Sequence, residues 1–326
     1  MSPLTTTDVD LFLRDGILHV PTAIPHEHLE PMRDAIWRRL ELGAVRRDDP
    51  STWGGATGIH MNRIAHLPVF SSIGSPRLCA AIDDLVGAGR WKQPASWGQF
   101  AITMPQPGPA WEPSATGWHS DSGPVHSASD ALFVLVLLAD LAPAGGGTLL
   151  VGGSHRALAD YIALLTPQDF TRSARAHRGC FARSRPWLAQ LNGLEPVAGP
   201  RSDYFSQPAP PTPGGPALRL IEVQGKAGDA FLCHPYTYHA VSCNRASTPR
   251  MMRIKMLRLW AGEQRDDPSS TTPLARSTRP LAPPASTGRK GPEAAVAPPR
   301  DGLGTTLLPG TPGPLVAPCA LPALQG

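Results

Sequence analysis

The first third of the chain repeats its apolar positions with the period of amphipathic helices, interrupted by one short strand. The segment TTDVDLFLRDG has helical spacing, with Thr7 as the predicted cap and Gly16 as the stop. ILHVP follows as a strand candidate. PHEHLEPMRDAIWRRLEL returns to helical spacing with Pro25 near its start, and SPRLCAAIDDLVG predicts a shorter helix.

From SWGQFAITMP onward the pattern changes to that of a sheet. This segment and RMMRIKMLRLW alternate residue by residue, and ALFVLVLLADL is apolar enough for a buried strand, although periodicity alone also allows a helix. ALRLIEV, the turn QGKAGD and AFLCHP predict a hairpin. Several strands separated by Gly, Pro and Asp turns indicate a mainly β fold with flanking helices (α+β), built on an antiparallel barrel or sandwich.

Residues 166–216 interrupt the strand pattern with a stretch that reads as irregular and contains several arginines. Charged stretches of this kind usually form a solvated surface. Long insertions in compact domains also serve as lids over binding sites. The sequence leaves both interpretations open, and the second predicts a lid that recognises an anionic substrate.

The composition changes again after Trp260. From about Gln264 to Gly326 the residues Pro, Gly, Ser, Thr and Ala dominate, and no aromatic residue occurs. Such a segment buries too little apolar surface to offset the entropy lost on ordering. We therefore predict one folded domain over residues 1–263 and a disordered tail over residues 264–326.

The overall composition narrows the class of protein. The 326-residue chain is 41% apolar, and its net charge of +4 comes from dispersed basic residues, which argues against a nucleic-acid partner. The sequence has no long apolar run and no signal-peptide pattern at its start, so we expect no membrane span and a cytoplasmic location. The five cysteines are scattered and odd in number, and predict neither a disulfide framework nor a zinc ribbon.

A histidine and an aspartate stand two residues apart in the segment GWHSDS. In an extended segment such residues point to the same face, so His119 and Asp121 would converge on one point, where a metal ion would fit. The alternative is a polar turn in which Asp121 bonds its own backbone and His119 is solvated. An iron(II) site with two histidines and one carboxylate requires a third ligand.

Further candidates lie in the segment GDAFLCHPYTYHAVSCNRASTPRMMR, which contains His234 and His239. Arg250 follows the second histidine after eleven residues and heads the apolar face of the last predicted strand, with Met252 and Ile254. A guanidinium that points into an interior needs a neutralising partner, and its shape fits a carboxylate bidentately. That partner is either a protein carboxylate or an anionic cosubstrate.

With these segments the chain resembles the phytanoyl-CoA dioxygenase family of iron(II)- and 2-oxoglutarate-dependent oxygenases. The matching stretches are RDGILHVPTAIPHEHLEPMRDAI, WHSD, GGGTLLVGGSHR and GDAFLCHPYTYHAVSCNRASTPR, over about residues 8–260. The resemblance implies a double-stranded β-helix (jelly-roll or cupin-like) core. It also implies His119, Asp121 and His239 as the catalytic ligands of Fe(II), Arg250 as the clamp on the distal carboxylate of 2-oxoglutarate, and His234 as a structural histidine.

Two positions depart from the family pattern. The family often has a proline in PGSH, whereas Gly152 and Gly153 precede Ser154 and His155 here, which predicts a looser turn. Some members have a serine two residues after the third metal ligand, where it assists in binding the carboxylate of the cosubstrate. This chain has Val241 there, so the helper is either Ser242 or another group. Thr148 and Gln99 are the further candidates for cosubstrate contacts.

The resemblance implies a dioxygenase that consumes O2 and 2-oxoglutarate, hydroxylates a small organic molecule, and releases succinate and CO2. Halogenases that resemble this family carry alanine or glycine where this chain has Asp121, so we expect oxygenation and no halogenation. The alternative function is a non-catalytic metal-binding or sensor domain of the same fold. Because one fold hosts many substrates, the prediction extends to the reaction class only.

Overall fold

The structure, a computed structural model, describes residues 4–56, 59–124, 128–210 and 215–279. Two antiparallel sheets form its centre. Their strands are β1 Ile17–Val20, β2 Gln99–Thr103, β3 Asp130–Leu137, β4 Leu149–Gly152, β5 Arg219–Glu222, β6 Ala230–Cys233, β7 His239–Ala240 and β8 Arg250–Arg258. The strand order is β1-β6-β3-β8-β2 in the larger sheet and β5-β4-β7 in the smaller sheet.

Helices surround the two sheets. The α-helices are α1 Thr6–Asp15, α2 Leu29–Glu41, α3 Pro76–Val86, α4 Ser154–Ala163, α5 Ala174–Arg183, α6 Pro186–Leu191, α7 Arg201–Ser206 and α8 Pro273–Arg276. Short 3-10 helices lie at His26–His28, Pro50–Ala56, Met61–Ile64, Pro68–Ile73 and Asp169–Thr171. Across the described ranges, no helix is both long and apolar enough to cross a membrane.

One apolar cluster joins the two sheets face to face. It contains Phe133, Leu135 and Leu137 from β3, Met252 from β8 and Leu150 from β4. Because side chains of both sheets are buried in the same cluster, the sheets form the two walls of one barrel. The expected double-stranded β-helix core with flanking helices is confirmed.

The outer faces of the sheets pack against the helices. Val134 of β3 shares a cluster with Ile36 of α2 and Leu78 of α3, and Val151 of β4 shares another with Phe181 of α5. β3 is therefore covered on both faces, and all eight of its residues are buried. This explains why its sequence is continuously apolar instead of alternating.

The N-cap of the first helix lies two residues before the predicted one. The N-cap is Thr5 and not Thr7, because the side chains and backbones of Thr5 and Asp8 form a reciprocal capping box. The predicted stop is confirmed: Gly16 has a φ of 70° and closes the helix in the left-handed conformation. A side chain has no room there, since a Cβ on Gly16 would lie 2.4 Å from Nδ1 of His155.

The hairpin predicted between β5 and β6 does not form. β5 pairs with β4 in the smaller sheet, whereas β6 pairs with β1 and β3 in the larger sheet. The turn between them carries the chain from one wall of the barrel to the other. Alternation and turn residues indicate two strands, but they do not indicate which sheet each strand joins, and in a jelly roll consecutive strands commonly join opposite sheets.

The predicted irregular insertion is helical where the structure describes it. Residues 166–210 contain α5, α6 and α7, whose residues Trp187, Leu188 and Phe205 pack with Val151 against the outer face of the smaller sheet. Helices of six to ten residues show too few turns for a clear apolar period. The sequence pattern therefore did not predict α5, α6 and α7.

The folded domain continues past the predicted boundary at residue 263. Arg265 is 3% exposed and Leu274 is 2% exposed, and α8 packs against α1 and α3. The predicted tail is therefore wrong for residues 264–279, while residues 280–326 lie outside the described residues. The composition of this segment did not predict that it folds, because only a few buried side chains attach an otherwise polar stretch to the domain.

Candidate metal centre

Three metal-binding side chains converge beside β7. His119, Asp121 and His239 each place one donor atom within 4.8 Å of the other two. Oδ1 of Asp121 lies 3.6 Å from Nε2 of His119, and Oδ2 lies 3.8 Å from Nε2 of His239. The structure therefore brings together the two residues of the H-x-D triplet and the distant histidine that the resemblance implied as the third ligand.

The backbone sets the spacing of the two histidines. His119 lies opposite His239 in an antiparallel bridge. The amide of His119 donates to the carbonyl of His239 at 2.9 Å, and the amide of His239 donates to the carbonyl of His119 at 2.7 Å. The ligand positions therefore depend on strand pairing and do not require a metal ion to hold them in place.

Each imidazole is oriented by a carbonyl two residues earlier in the chain. Nδ1 of His119 lies 2.8 Å from the carbonyl of Gly117, and Nδ1 of His239 lies 2.9 Å from the carbonyl of Thr237. A carbonyl accepts only, so Nδ1 carries the proton in both rings and Nε2 presents a lone pair towards Asp121. This arrangement of an imidazole is typical of metal ligands.

The three ligands differ in their exposure. The side chains of His119 and Asp121 are each 36% exposed, whereas that of His239 is 7% exposed and stacks on Phe133 at 4.7 Å. Burial lowers the pKa of His239, which favours the neutral, metal-binding imidazole. The site is thus anchored in the barrel on one side and open to incoming molecules on the other.

Arg250 is a buried cation without a protein anion. It is 6% exposed, and one Nη donates to the carbonyl of Gly146, while its Nε has no hydrogen-bond partner. Among the described residues, no carboxylate oxygen lies within 4.0 Å of its guanidinium. Burial lowers the pKa of Arg250 to about 10. The interpretation as a structural ion pair therefore finds no partner in the described chain.

A second buried arginine on the same strand has a different environment. The guanidinium of Arg253 donates to the carbonyls of Trp97, Gly98 and Ala65 and lies over the rings of Phe70 and Phe100. Its Nε and one Nη thus have carbonyl partners, while the other Nη has no hydrogen-bond partner among the described residues. Burial therefore does not distinguish the two arginines, whereas their surroundings do: Arg253 donates to several carbonyls beside two aromatic rings, and Arg250 donates to one carbonyl.

Thr148 lies close to the Arg250 end of the barrel. It is 5% exposed, and alternation places its side chain on the same face as that of Leu150, which belongs to the interior cluster. Gly146, two residues earlier, accepts the hydrogen bond from Arg250. The position therefore agrees with a role beside the guanidinium.

Gln99 and Ser242 are the other two candidates for cosubstrate contacts. Gln99 pairs with Ile254 and shares the interior-facing side of β2, but Thr103, the partner of Arg250, is four residues away, about 13 Å along the strand. The hydroxyl of Ser242 accepts a hydrogen bond of 2.7 Å from the indole of Trp111. Gln99 therefore lies apart from Arg250, and Ser242 already has a partner in Trp111.

His234 is separate from the metal-binding group. It is fully buried, its Nδ1 accepts a hydrogen bond from the amide of Tyr236 at 3.0 Å, and its ring lies 5.4 Å from that of His155. Burial lowers the pKa values of both His234 and His155. This environment agrees with the expected structural histidine.

The helical insertion reaches the neighbourhood of the metal ligands. A small cleft is lined by Ser120, Ser122, His177, Arg178, Phe181 and Tyr238. Of the insertion's arginines only Arg178 lines this cleft, and Arg172 pairs instead with Asp169 at 3.0 Å. A lid that recognises an anionic substrate remains a prediction.

Comparison with known proteins places this geometry in a family. The family model described as phytanoyl-CoA dioxygenase (PhyH) matches residues 12–252. Among curated proteins, none matches the sequence significantly.

Similar solved structures include three microbial proteins. The non-heme alpha ketoglutarate dependent carbocyclase SnoK from nogalamycin biosynthesis has 18% identity and a TM-score of 0.41, covering 79% of this chain and 86% of its own. EctD from S. alaskensis, solved with 2-oxoglutarate and 5-hydroxyectoine, has 15% identity and a TM-score of 0.42, covering 81% and 79%. AviO1 from Streptomyces viridochromogenes Tue57 has 14% identity and a TM-score of 0.41, covering 81% and 98%.

The family match spans most of the described barrel, from α1 to β8, and includes both segments that carry the His-Asp-His group. Fold, donor set and sequence match agree with one another. The chain belongs to the phytanoyl-CoA dioxygenase family and is a 2-oxoglutarate-dependent dioxygenase.

Proposed function

We propose that this dioxygenase hydroxylates an unactivated carbon of a small organic molecule. In this proposal His119, Asp121 and His239 bind Fe(II), and Arg250 binds the distal carboxylate of 2-oxoglutarate. One O2 and one 2-oxoglutarate are consumed for each hydroxyl group formed, and succinate and CO2 are released. When bound, the iron with its cosubstrate and O2 supplies an oxidant strong enough to remove hydrogen from such a carbon.

The observation that carries the proposal is the guanidinium of Arg250, which meets no carboxylate among the described residues and lies in the same barrel as three candidate metal donors. A buried cation without an anion is costly, and its cost is offset when a carboxylate binds. The three donors match the ligand set of oxygenases that keep open positions on iron(II). An anionic cosubstrate that binds the metal and also reaches Arg250 would therefore use both the metal donors and the buried guanidinium.

The remaining residues orient and enclose the reactants. The carbonyls of Gly117 and Thr237 hold the two imidazoles with Nε2 towards the metal position. Phe133 and the interior apolar cluster exclude water from the side of His239. Thr148 would add a hydroxyl contact to the cosubstrate near Arg250, and Gln99 would act further along the barrel.

The cysteines support an intracellular setting for this reaction. None of the four described cysteines, Cys79, Cys180, Cys233 and Cys243, forms a disulfide. Thiols that form no disulfide are usual in the reducing cytoplasm. We therefore infer a cytoplasmic enzyme.

Succinate release tests the proposed function directly. Purified protein is loaded with Fe(II) without oxygen, mixed with 2-oxoglutarate and oxygenated buffer, and assayed for succinate with and without extracts that contain small molecules. We expect slow succinate release alone and faster release when the extract supplies a substrate. Tight binding of Fe(II) and 2-oxoglutarate with no succinate under any condition would favour the non-catalytic sensor instead.

A further inference from the structure

The C-terminal segment, residues 264–279, touches the loops that carry the metal ligands through one side chain, Arg265. This side chain is 2% exposed. Its guanidinium nitrogens lie within hydrogen-bond distance of Ser122, Asp130, Tyr236 and Asp266. A single residue from beyond the last strand thus reaches the segments that carry Asp121 and His239.

Two of these contacts lie next to metal ligands. One Nη donates to the hydroxyl of Ser122 at 3.3 Å, and Ser122 follows Asp121 directly in the chain. The other Nη donates to the hydroxyl of Tyr236 at 2.8 Å, three residues before His239. Arg265 therefore bridges the segment that carries the carboxylate ligand and the segment that carries the third histidine.

The contacts of Arg265 with Ser122 and Tyr236 are supported by further interactions of these residues. Ser122 is fully buried, and its amide donates to the carbonyl of Pro235 at 3.3 Å. Asp266 pairs with Arg265 through both carboxylate oxygens, at 3.2 and 2.9 Å, so the charge is neutralised on the side away from the barrel. The guanidinium also lies over the ring of Tyr236, 4.3 Å from its centroid.

We propose that Arg265 is a positioning residue that fixes Asp121 relative to His239 and so sets the metal affinity of the site. Asp121 is the ligand with the least support of its own, because it is 36% exposed and lies outside the strands, whereas the histidines are joined by their backbones. Holding Ser122 limits the motion of Asp121. The proposal rests on the proposed function, since it takes these three residues as metal ligands.

Arg90 provides a matched control, because it anchors the same C-terminal segment at a different place. Its guanidinium pairs with Glu263 at 2.6 Å and donates to the hydroxyl of Ser270 at 2.9 Å. Neither contact involves a segment that carries a metal ligand. Arg90→Met therefore loosens the segment without removing the bridge between Ser122 and Tyr236.

The test measures binding of Co(II), an analogue of Fe(II) that is stable in air, by calorimetry and by its visible absorption spectrum. Loss of a group that orients a metal ligand typically lowers metal affinity about 10- to 100-fold. We expect Arg265→Met to weaken Co(II) binding by at least tenfold and to alter the absorption bands. Arg90→Met should bind Co(II) within about twofold of the wild type, even if its Tm falls equally.

Conservative variants keep the test decisive if Arg265→Met does not fold. Tyr236→Phe and Ser122→Ala each remove one acceptor of the bridge, and Arg265→Lys keeps the charge but lacks the fork that reaches both acceptors. We expect all three to bind Co(II) more weakly than the Arg90 variant. Wild-type affinity and spectrum in all three would overturn the proposal, as would equal losses in the Arg90 and Arg265 variants.

A failure of the Arg265 proposal can be distinguished from a failure of the proposed function. A wild-type protein that binds Co(II) but never releases succinate would contradict the proposed function, while the variant affinities would still decide the role of Arg265. A wild-type protein that binds neither Co(II) nor Fe(II) would overturn both.

Discussion

Arg250 and Arg253 are buried three residues apart on β8, and they face opposite sides of the larger sheet. Arg253 lies over two phenylalanine rings and donates to backbone carbonyls, whereas Arg250 points to the barrel interior and has one carbonyl partner. The same residue type on one strand thus serves two different purposes. The first is structural, and we assign the second to cosubstrate binding.

This contrast predicts opposite effects of the same substitution. Arg250→Met should weaken 2-oxoglutarate binding tenfold or more, because a lost charge-assisted hydrogen bond costs about 1.5 to 3 kcal/mol. It should not lower the Tm of the ligand-free protein, because it removes an unpaired buried charge. Arg253→Met should lower the Tm and leave 2-oxoglutarate affinity nearly unchanged. Calorimetric titration and thermal unfolding measure both, and unchanged cosubstrate affinity in Arg250→Met would refute its assignment.

Removal of one metal ligand should abolish binding while leaving the fold intact. His119→Ala keeps the backbone bridge to His239, and its side chain is partly exposed, so we expect the Tm to change by less than about 2 °C. Iron content after reconstitution should fall to background, together with succinate release. His66→Ala, an exposed histidine elsewhere, is the control. Wild-type iron content in His119→Ala would show that the ligand set is wrong.

The buried histidines predict that the protein loses stability as the pH falls. Burial lowers the pKa of His155 from 6.5 to about 3. Below pH 6.5 the unfolded chain therefore binds a proton that the folded chain does not, and the free energy of unfolding decreases towards pH 3, by at most about 1.4 kcal/mol per pH unit for this group. Urea unfolding between pH 5 and pH 7.5 measures the slope.

A substitution of His155 measures how much this residue contributes to the pH dependence of the unfolding free energy. His155→Leu removes the titrating group, so its unfolding free energy should depend less steeply on pH than that of the wild type, whatever its absolute stability. Identical slopes for the two proteins would mean that His155 has the same pKa in the folded and unfolded states, which would contradict the prediction. His19→Leu, whose side chain is 42% exposed, serves as the control for loss of a histidine.

Two truncations should behave differently. Ending the chain after residue 279 keeps every described contact, and we expect Tm and succinate release close to those of the full chain. Ending it after residue 263 removes Arg265 and the buried Leu274, so both quantities should fall. Thermal unfolding and the succinate assay compare the two. Equal behaviour of both truncated proteins would show that residues 264–279 do not contribute to stability.

The product should contain oxygen and no halogen. In our assignment Asp121 is a metal ligand, so a halide would have to displace its carboxylate from the metal, which is unfavourable. Once a substrate is found, a reaction in labelled O2 with chloride present should give a labelled hydroxyl group. Mass spectrometry of the product decides the matter, and a chlorinated product from the wild-type protein would contradict the prediction.

The sequence predicted those features that a local pattern encodes. Gly16 ends α1 as expected because only a residue that tolerates positive φ closes a helix in that way. The two faces of β8 were assigned correctly by alternation, since Met252 lies in the interior cluster and Met251 in the outer one. Short-range spacing together with the family resemblance selected His119, Asp121 and His239 as candidate metal ligands, and the structure brings these three side chains together.

Features that depend on distant parts of the chain escaped prediction. The partner of β5 is β4 and not β6, which no turn signal specifies. Arg265 stands in a polar segment whose composition suggests a tail, and only the three-dimensional structure brings it to Ser122 and Tyr236. Likewise, the aromatic rings that make Arg253 a structural residue come from segments far away in the sequence.

Because β1 pairs with β6, β1 of a newly made chain is synthesised long before its partner strand. His19 of β1 bonds to Asp229, just before β6, and these residues are 210 positions apart. At a synthesis rate of about 5–20 residues per second, β1 waits roughly 10–40 s for its partner strand to appear. During that interval its apolar residues and open hydrogen-bonding edge are available to other chains. Abundant chaperones that cover β1 during this interval should therefore raise the yield of folded protein more than a stabilising surface substitution would.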